Sequence, residues 1–591
     1  MMYRSTSAVL LGLLLACGEE PGKRREHEEH REQAAARAAE LELTSARADN
    51  LPPAGTPYIP PQCYTKTRDG EGRVHNPCFT CHADGDAPNY IRDGALQLGY
   101  DFGPPARVNP WTNLFVDRTA QVAAISDEQI LTYVRSDNYR SSAGRPGLAE
   151  RLRSSAGEWD ADGDGRFSGF VPDIAFDFDE QGFDRTPDGG YTGFRAYAYF
   201  PLPGTFWPTN GSFGDALIRL PRAFRETADG TFDLAVYTVN LAVLEALITR
   251  RDVAIEPTDE RTLGVDLDQN GRLTTARVVR YRWQPGAHNM RWAGQAGELL
   301  DQGKVHLAAG LFPEGTELAH SVRYLDVQAG RVKLAPRMKE LRYMVKSGWL
   351  SYGALEVQAT QEAAEKASSP DKTRLIVGSS EQGVSNGAGW RLQGFIEDAQ
   401  GELRPQTLAE HGFCIGCHSG VGVTDDSVFS FGRKLTDQAF QRGWFHWTQR
   451  GLEGVAEPRR ADGHGEYTFY LAQNGAGDEL RQNDELLTRL FTSEGALRDD
   501  MAARVARDVS ALLLPSPERA VALDKAYLTI VREQSFTRGR DALITAAQNV
   551  HRVLPDEELR TAVLEPISER RRMRPKRSRA ARLEPGRSAP M

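Results

Sequence analysis

Apolar positions first gather in one short run, Ala8-Val-Leu-Leu-Gly-Leu-Leu-Leu-Ala16, which is too short to span a bilayer. From there to about residue 50 the chain is charged and alanine-rich, which predicts a solvated tether over 17–50, with His27 and His30 on its surface. Residues 51–155 begin loop-rich at Asp101-Phe-Gly-Pro-Pro-Ala-Arg-Val-Asn-Pro-Trp111. They turn helical at Asp127-Glu-Gln-Ile-Leu-Thr-Tyr-Val-Arg135, behind an N-cap at Ser126. Between 156 and 335 the period drops to two. Gly193-Phe-Arg-Ala-Tyr-Ala-Tyr-Phe200, Thr231-Phe-Asp-Leu-Ala-Val-Tyr-Thr-Val239, Ala276-Arg-Val-Val-Arg-Tyr-Arg-Trp283 and Ala319-His-Ser-Val-Arg-Tyr-Leu-Asp-Val327 predict strands, interrupted by a helix at Leu241–Arg250. Helical patterning returns from Arg337 through 478, and amphipathic helices fill 479–568, as in Glu479-Leu-Arg-Gln-Asn-Asp-Glu-Leu-Leu-Thr-Arg-Leu-Phe491. The pattern predicts a multidomain α+β chain. Two mostly helical regions, 51–155 and 336–478, flank a β-rich insertion at 156–335, and a helical C-terminal region follows.

Charge refines the two ends. Residues 569–591 hold nine Arg or Lys against two Glu, a net +7 that predicts a basic disordered tail. The chain's formal −9 then leaves −16 on the remainder, so the folded body is acidic and unsuited to nucleic acid. At the other end, Arg4 gives a positive start, and Cys17 follows Leu14-Leu15-Ala16. This resembles the lipobox of bacterial lipoproteins, with 1–16 as signal peptide and Cys17 as the lipidated first residue of the mature chain. Gly18 stands where an inner-membrane retention signal would carry aspartate, so the resemblance implies the outer membrane, facing the periplasm or the cell exterior. A plain secretory peptide with an incidental cysteine is the alternative.

The candidate chemistry lies in two pentapeptides, Cys78-Phe-Thr-Cys81-His82 and Cys414-Ile-Gly-Cys417-His418, whose first cysteines lie 336 residues apart. Two thioether bonds to one haem need cysteines at this spacing, and the next residue is placed to become the axial imidazole. With 6 Cys and 12 His in 591 residues, one such pentapeptide arises by chance in on the order of one chain in a thousand. Both resemble the attachment motif of c-type cytochromes, which implies two covalently bound haem c with His82 and His418 as proximal ligands. Competing readings pool the four cysteines around a structural zinc, or treat each pair as redox thiols. Cys63 is left without a partner and reads as a buried thiol or a thiolate ligand.

The far side of each iron is less constrained. Small c-type cytochromes place a methionine or second histidine downstream, yet no His or Met lies between His82 and His288. Candidates for the first haem are His288 and Met290 in the turn Gln284-Pro-Gly-Ala-His-Asn-Met290, then His306, His320, Met338 and Met344. His75 lies too close to Cys78 to reach its own haem and suits only a neighbouring one; His411 repeats that placement. For the second haem the candidates are His446, in the aromatic run Trp444-Phe-His-Trp447, then His464 and Met501. Each also reads as an ordinary core or surface residue.

Three acidic loops open a further possibility. Asp160-Ala-Asp162-Gly-Asp164-Gly165 and Asp266-Leu-Asp268-Gln-Asn270-Gly271 alternate oxygen ligands and place glycine sixth, resembling EF-hand or dockerin calcium loops. Neither has an acid at position twelve, where Val171 and Arg277 stand, so a Ca2+ site would need a carboxylate from elsewhere. The third, Asp177-Phe-Asp179-Glu-Gln-Gly182, reaches Asp188. Plain Asp/Gly turns are the alternative.

Three functions follow as expectations. The first is an electron carrier of the cell envelope, exchanging electrons with a redox protein donor and acceptor. A second resembles di-haem peroxidases, with an open or displaceable position at the first haem. In the third, the β-rich insertion is a calcium-stabilised binding module with accessory haems. Nothing in the pattern sets an oligomeric state.

Overall fold

The computed structural model describes residues 58–568, apart from 86, 101, 155–158, 198, 205, 206, 208, 210, 288, 370, 371, 373–375, 430–445, 461, 477–482, 557 and 558. Cys17, the tether, the basic tail and His288 therefore lie outside the described residues.

A nine-stranded antiparallel sheet dominates. Its strands are β1 (Phe183–Arg185), β2 (Tyr191–Tyr197), β3 (Ala216–Arg219), β6 (Glu317–Gln328), β7 (Arg331–Lys346), β8 (Val377–Ser379), β9 (Gly383–Ser385), β10 (Trp390–Glu397) and β11 (Leu403–Pro405). They follow the order β1-β2-β3-β6-β7-β10-β9-β8, with β11 paired to β10, while β4 (Val253–Asp259) and β5 (Thr275–Val279) form a separate pair. The long β6–β7 hairpin turns through Ala329 and Gly330, both at positive φ, the geometry a two-residue loop needs to match strand twist.

Register fixes what each face carries. One set of aligned rows reads Ala216–His320–Arg342–Gly394 and Ile218–Leu318–Met344–Leu392. The opposite face places Leu217, Ala319, Leu341 and Phe395 in a core shared with Tyr139, Ile174 and Phe194. Helix Pro517–Glu533 closes another core with helix Asp127–Arg135 through Tyr527, Ile530, Ile130 and Val134. The described residues, 58–568, fall in one compact unit.

This corrects the expected fold class. The chain is about 33% helical and 19% strand, so it is not a pair of mostly helical regions with a β insertion between them. β7 crosses residue 335 and four further strands lie within the region expected to be helical. Buried charge disguised them. Along β7, Arg337 pairs with Glu397 at 2.7 Å, Glu340 with Arg540 at 2.7 Å and Lys346 with Asp426 at 2.6 Å, each across the interior. A central strand studded with paired charges loses the apolar alternation that marks strands in sequence. The strand expected at Thr231–Val239 is also overturned. Asp233 caps a helix over Leu234–Thr249 by accepting from the amides of Ala235 and Val236, and that helix is buried nearly all round, so its pattern shows no single apolar stripe.

Candidate functional site

Each pentapeptide is wound into a helical turn. Pro77–Thr80 forms a 3-10 turn, where Pro77 presets the first residue, and His82 donates its amide to the Cys78 carbonyl at 2.8 Å. Cys414-Ile-Gly-Cys417-His418 ends the helix Leu408–His418, started by a capping box between Thr407 and Glu410. Aromatic contacts brace both turns. Phe79 sits edge-on to Phe469 at 5.7 Å, and Phe413 edge-on to Trp111 at 5.5 Å. At Gly416 a Cβ would stand 2.8 Å from the Tyr58 carbonyl oxygen and from Pro60, so a larger residue does not fit between the two cysteines.

The fold brings both pentapeptides to one predominantly apolar cavity of about 460 Å³, a size suited to bound ligands. Cys78, Cys81, His82, Cys414, Cys417 and His418 all line it. Its floor is the sheet face carrying Ala216, Leu318, His320, Arg342 and Met344. The segments after the two motifs interlock. Val423 donates its amide to the Cys81 carbonyl at 3.2 Å, and Asn89 donates to the carbonyls of Val421 and Thr424. A Cβ on Gly422 would meet the Ala83 carbonyl oxygen at 2.0 Å. The chain between the two motifs thus loops out and returns.

The two histidines have different groups at Nδ1. His418 donates Nδ1–H to the Ser427 carbonyl at 2.9 Å. His82 places Nδ1 3.4 Å from the carboxylate of Asp93, which also accepts the Gly422 amide at 2.7 Å. Ser427 thus holds His418 at Nδ1, while His82 Nδ1 is buried near the Asp93 carboxylate without making a hydrogen bond.

The five described cysteines form no disulfide. Among the described residues, no group of three Cys or His ligand atoms gathers as a tetrahedral zinc would require. Burial pushes the Cys63 and Cys414 thiols up, and Cys417 up to about 12, so these are not the low-pKa thiolates of redox dithiol sites.

The distal candidates separate clearly. His320 and Met344 line the cavity, and burial, reinforced by Arg342, pushes His320 down to about 3, keeping it neutral. His75 faces away and pairs with Asp69 at 3.0 Å. His446 is buried against Phe178, with ring centroids 5.0 Å apart, and His464 is exposed beside Phe469; neither lines the cavity. Met290, Met338, His306, His411 and Met501 are also absent from its walls. Cys63 and Tyr199 line it, as does Asp93, a residue that sequence reasoning missed because nothing marks an aspartate eleven positions past His82.

The first two acidic loops acquire the carboxylates they lack. Asp160 and Asp162 converge with Glu381, and Asp266 and Asp268 with Glu260, with ligand oxygens in each group within 4.8 Å of one another. Glu381 accepts amides from Ala161 and Ser168, and Glu260 accepts those of Leu267, Asp268 and Thr274. In both loops the first aspartate accepts the glycine amide at position six, at 2.7 Å for Asp160 and 2.8 Å for Asp266. Asp164 and Asn270 accept instead from Arg166 and Arg272. Glu260 lies six residues before Asp266 and was within reach of sequence reasoning; Glu381 was not. In the third loop Asp179 caps a turn to Phe183 and Asp188 bonds Thr186, with no such convergence.

A lipoprotein family model ("-like lipoprotein") matches residues 48–507. An "Uncharacterized lipoprotein" of Aquifex aeolicus (strain VF5) is 30% identical over 593 residues, covering 90% of each chain. No solved structure matches. Among the described residues no helix is long and apolar enough to cross a membrane. With the match running over more than half of its length, the chain belongs to this lipoprotein family.

Proposed function

We propose that this lipoprotein is a di-haem c-type cytochrome that carries electrons in the bacterial cell envelope, tethered through lipid on Cys17 to the outer membrane. The observation that carries this is the convergence of both pentapeptides, 336 residues apart, on one apolar cavity. The donor set fits. Each motif offers two thiols and one imidazole, with Nδ1 of His418 hydrogen-bonded to Ser427 and that of His82 beside the Asp93 carboxylate, and the walls are predominantly apolar. Bound haem would supply one-electron chemistry at the iron. The protein's part is to hold the two sites within one cavity, so that an electron crosses between them without leaving the low-dielectric interior. Redox proteins would be donor and acceptor.

Expression with the native leader in a host that matures c-type cytochromes should give two covalent haems per chain by intact mass and pyridine haemochrome. Serine at both Cys414 and Cys417 should leave one haem. A mature wild-type chain without haem would end this reading.

One feature favours a second reading, a peroxidase-like oxidoreductase: the carboxylate of Asp93 behind His82, which strengthens imidazole as a donor to a reactive iron. A high-spin signal that reacts with peroxide would support it.

We also infer that Asp160, Asp162, Glu381 and Glu260, Asp266, Asp268 hold Ca2+ as structural staples, with Asp164 and Asn270 shaping the loops. All are hard oxygen donors. Calcium at 100 times its Kd should stabilise each site by about 2.7 kcal/mol. Chelation should therefore lower the melting temperature of the wild type but not of Glu381→Gln/Glu260→Gln.

A further inference from the structure

We infer that His320 is the distal axial ligand of the haem held by Cys414, Cys417 and His418, making that iron six-coordinate with two histidines. This rests on the di-haem reading and goes beyond it by naming the group opposite His418. Among the cavity's lining residues, only His320 and Met344 add an imidazole or thioether to the two motif histidines. His320 projects from the first third of β6, where the strand is paired on both sides, to β3 and to β7. Its register neighbours are Ala216, small enough to leave the ring room, and Arg342. Tyr199 fixes the ring edge-on, with centroids 4.8 Å apart.

His320 and His411 both bury Nδ1 without a hydrogen-bond partner. They differ in where the ring lies: His411 accepts the Gly394 amide at Nε2 over 2.9 Å and does not line the cavity, whereas His320 stands in the cavity wall beside the Asp215 backbone. A buried polar group short of partners is costly, and a metal bond would offset part of that cost. Location selects the second haem. His320 shares its row of the sheet with Arg342, whose guanidinium lies 5.8 Å from the centre of the Phe413 ring, and with Gly394, whose amide bonds His411; Phe413 and His411 both belong to the helix that ends in Cys414, Cys417 and His418. A rigid strand is also the support an axial ligand needs to hold its angle to the iron.

The test uses full-length protein matured with haem. Haem content is counted first, by mass and pyridine haemochrome, then low-temperature EPR is recorded for wild type, His320→Ala, His320→Met and Met344→Leu. We expect two covalent haems throughout. His320→Ala should convert one low-spin signal to high-spin, with added imidazole restoring it. His320→Met should instead give the sulfur-to-iron charge-transfer band of histidine–methionine ligation. If His320→Ala binds two haems and keeps the wild-type spectrum, the assignment is overturned, and a high-spin signal in Met344→Leu alone would give the role to Met344. Wild type lacking haem would overturn the di-haem reading itself, an outcome distinguishable by the count. Should His320→Ala fail to fold, His320→Met carries the decision alone, since an unchanged spectrum there removes His320 from the iron.

Discussion

Replacing Lys346 with methionine is expected to destabilise the protein by about 3–5 kcal/mol, the range found when one partner of a buried ion pair is removed. Lys346 and Asp426 are both fully enclosed, their charged atoms 2.6 Å apart, and Asp426 also accepts the Phe312 amide at 3.1 Å. Without the ammonium the carboxylate is left buried beside apolar surface. The damage should reach the site, because Asp426 precedes Ser427, whose carbonyl holds His418. A pH dependence follows. Burial raises Asp426 above the ordinary carboxylate range while Lys346 pulls it down, so losing Lys346 raises it further. A carboxyl with a raised folded-state pKa binds its proton more tightly folded than unfolded. Stability is then retained below the unfolded value of about 3.9 and lost as pH climbs through the raised one. Chemical denaturation from pH 4 to 8 should show the gap between Lys346→Met and wild type widening with pH. Adding Asp426→Asn should recover part of the loss; a Lys346→Met protein as stable as wild type at neutral pH would show that the pair does not hold the loop.

What the sequence revealed follows the range of the signal. The two pentapeptides, the capped helix behind Ser126, and strands β2, β5 and β6 all depend on residues within a turn or a strand of one another, and they are found where their spacing puts them. β7 was hidden because its charges are neutralised by Glu397, Arg540 and Asp426, partners brought in from far along the chain. The same limit governed the site. His446 had the more persuasive local setting, an aromatic run just past the second motif, yet it packs on Phe178 while His320, almost one hundred residues before His418, reaches the cavity floor. Glu381 and Asp93 were equally illegible, since what brings them to their sites is the register of a sheet and the crossing of two loops.

Asp93→Asn is expected to raise the reduction potential of the haem held by Cys78, Cys81 and His82 and to leave the other unchanged. The cause is an asymmetry behind the two proximal histidines. Ser427 offers His418 a neutral carbonyl, whereas Asp93 offers His82 a carboxylate 3.4 Å from Nδ1. With haem bound, a carboxylate this near Nδ1 would give the imidazole anionic character and stabilise ferric over ferrous iron. Asparagine keeps an oxygen for the Gly422 amide, at 2.7 Å from Asp93, so the loop crossing survives while the charge is lost. Loss of a partner of this kind changes metal-site behaviour by about 10–100-fold, and at roughly 59 mV per tenfold for one electron this is about 60–120 mV. A spectroelectrochemical titration resolving the two haems checks it: a shift confined to the lower potential supports the asymmetry, and no shift removes Asp93 from the electronics. The sign also sets a direction. With His82 backed by a carboxylate and His418 by a carbonyl, electrons entering a haem at the Cys78 site would run downhill to one at the Cys414 site. Asp93→Asn should then slow reduction of the second haem as the gap between them closes.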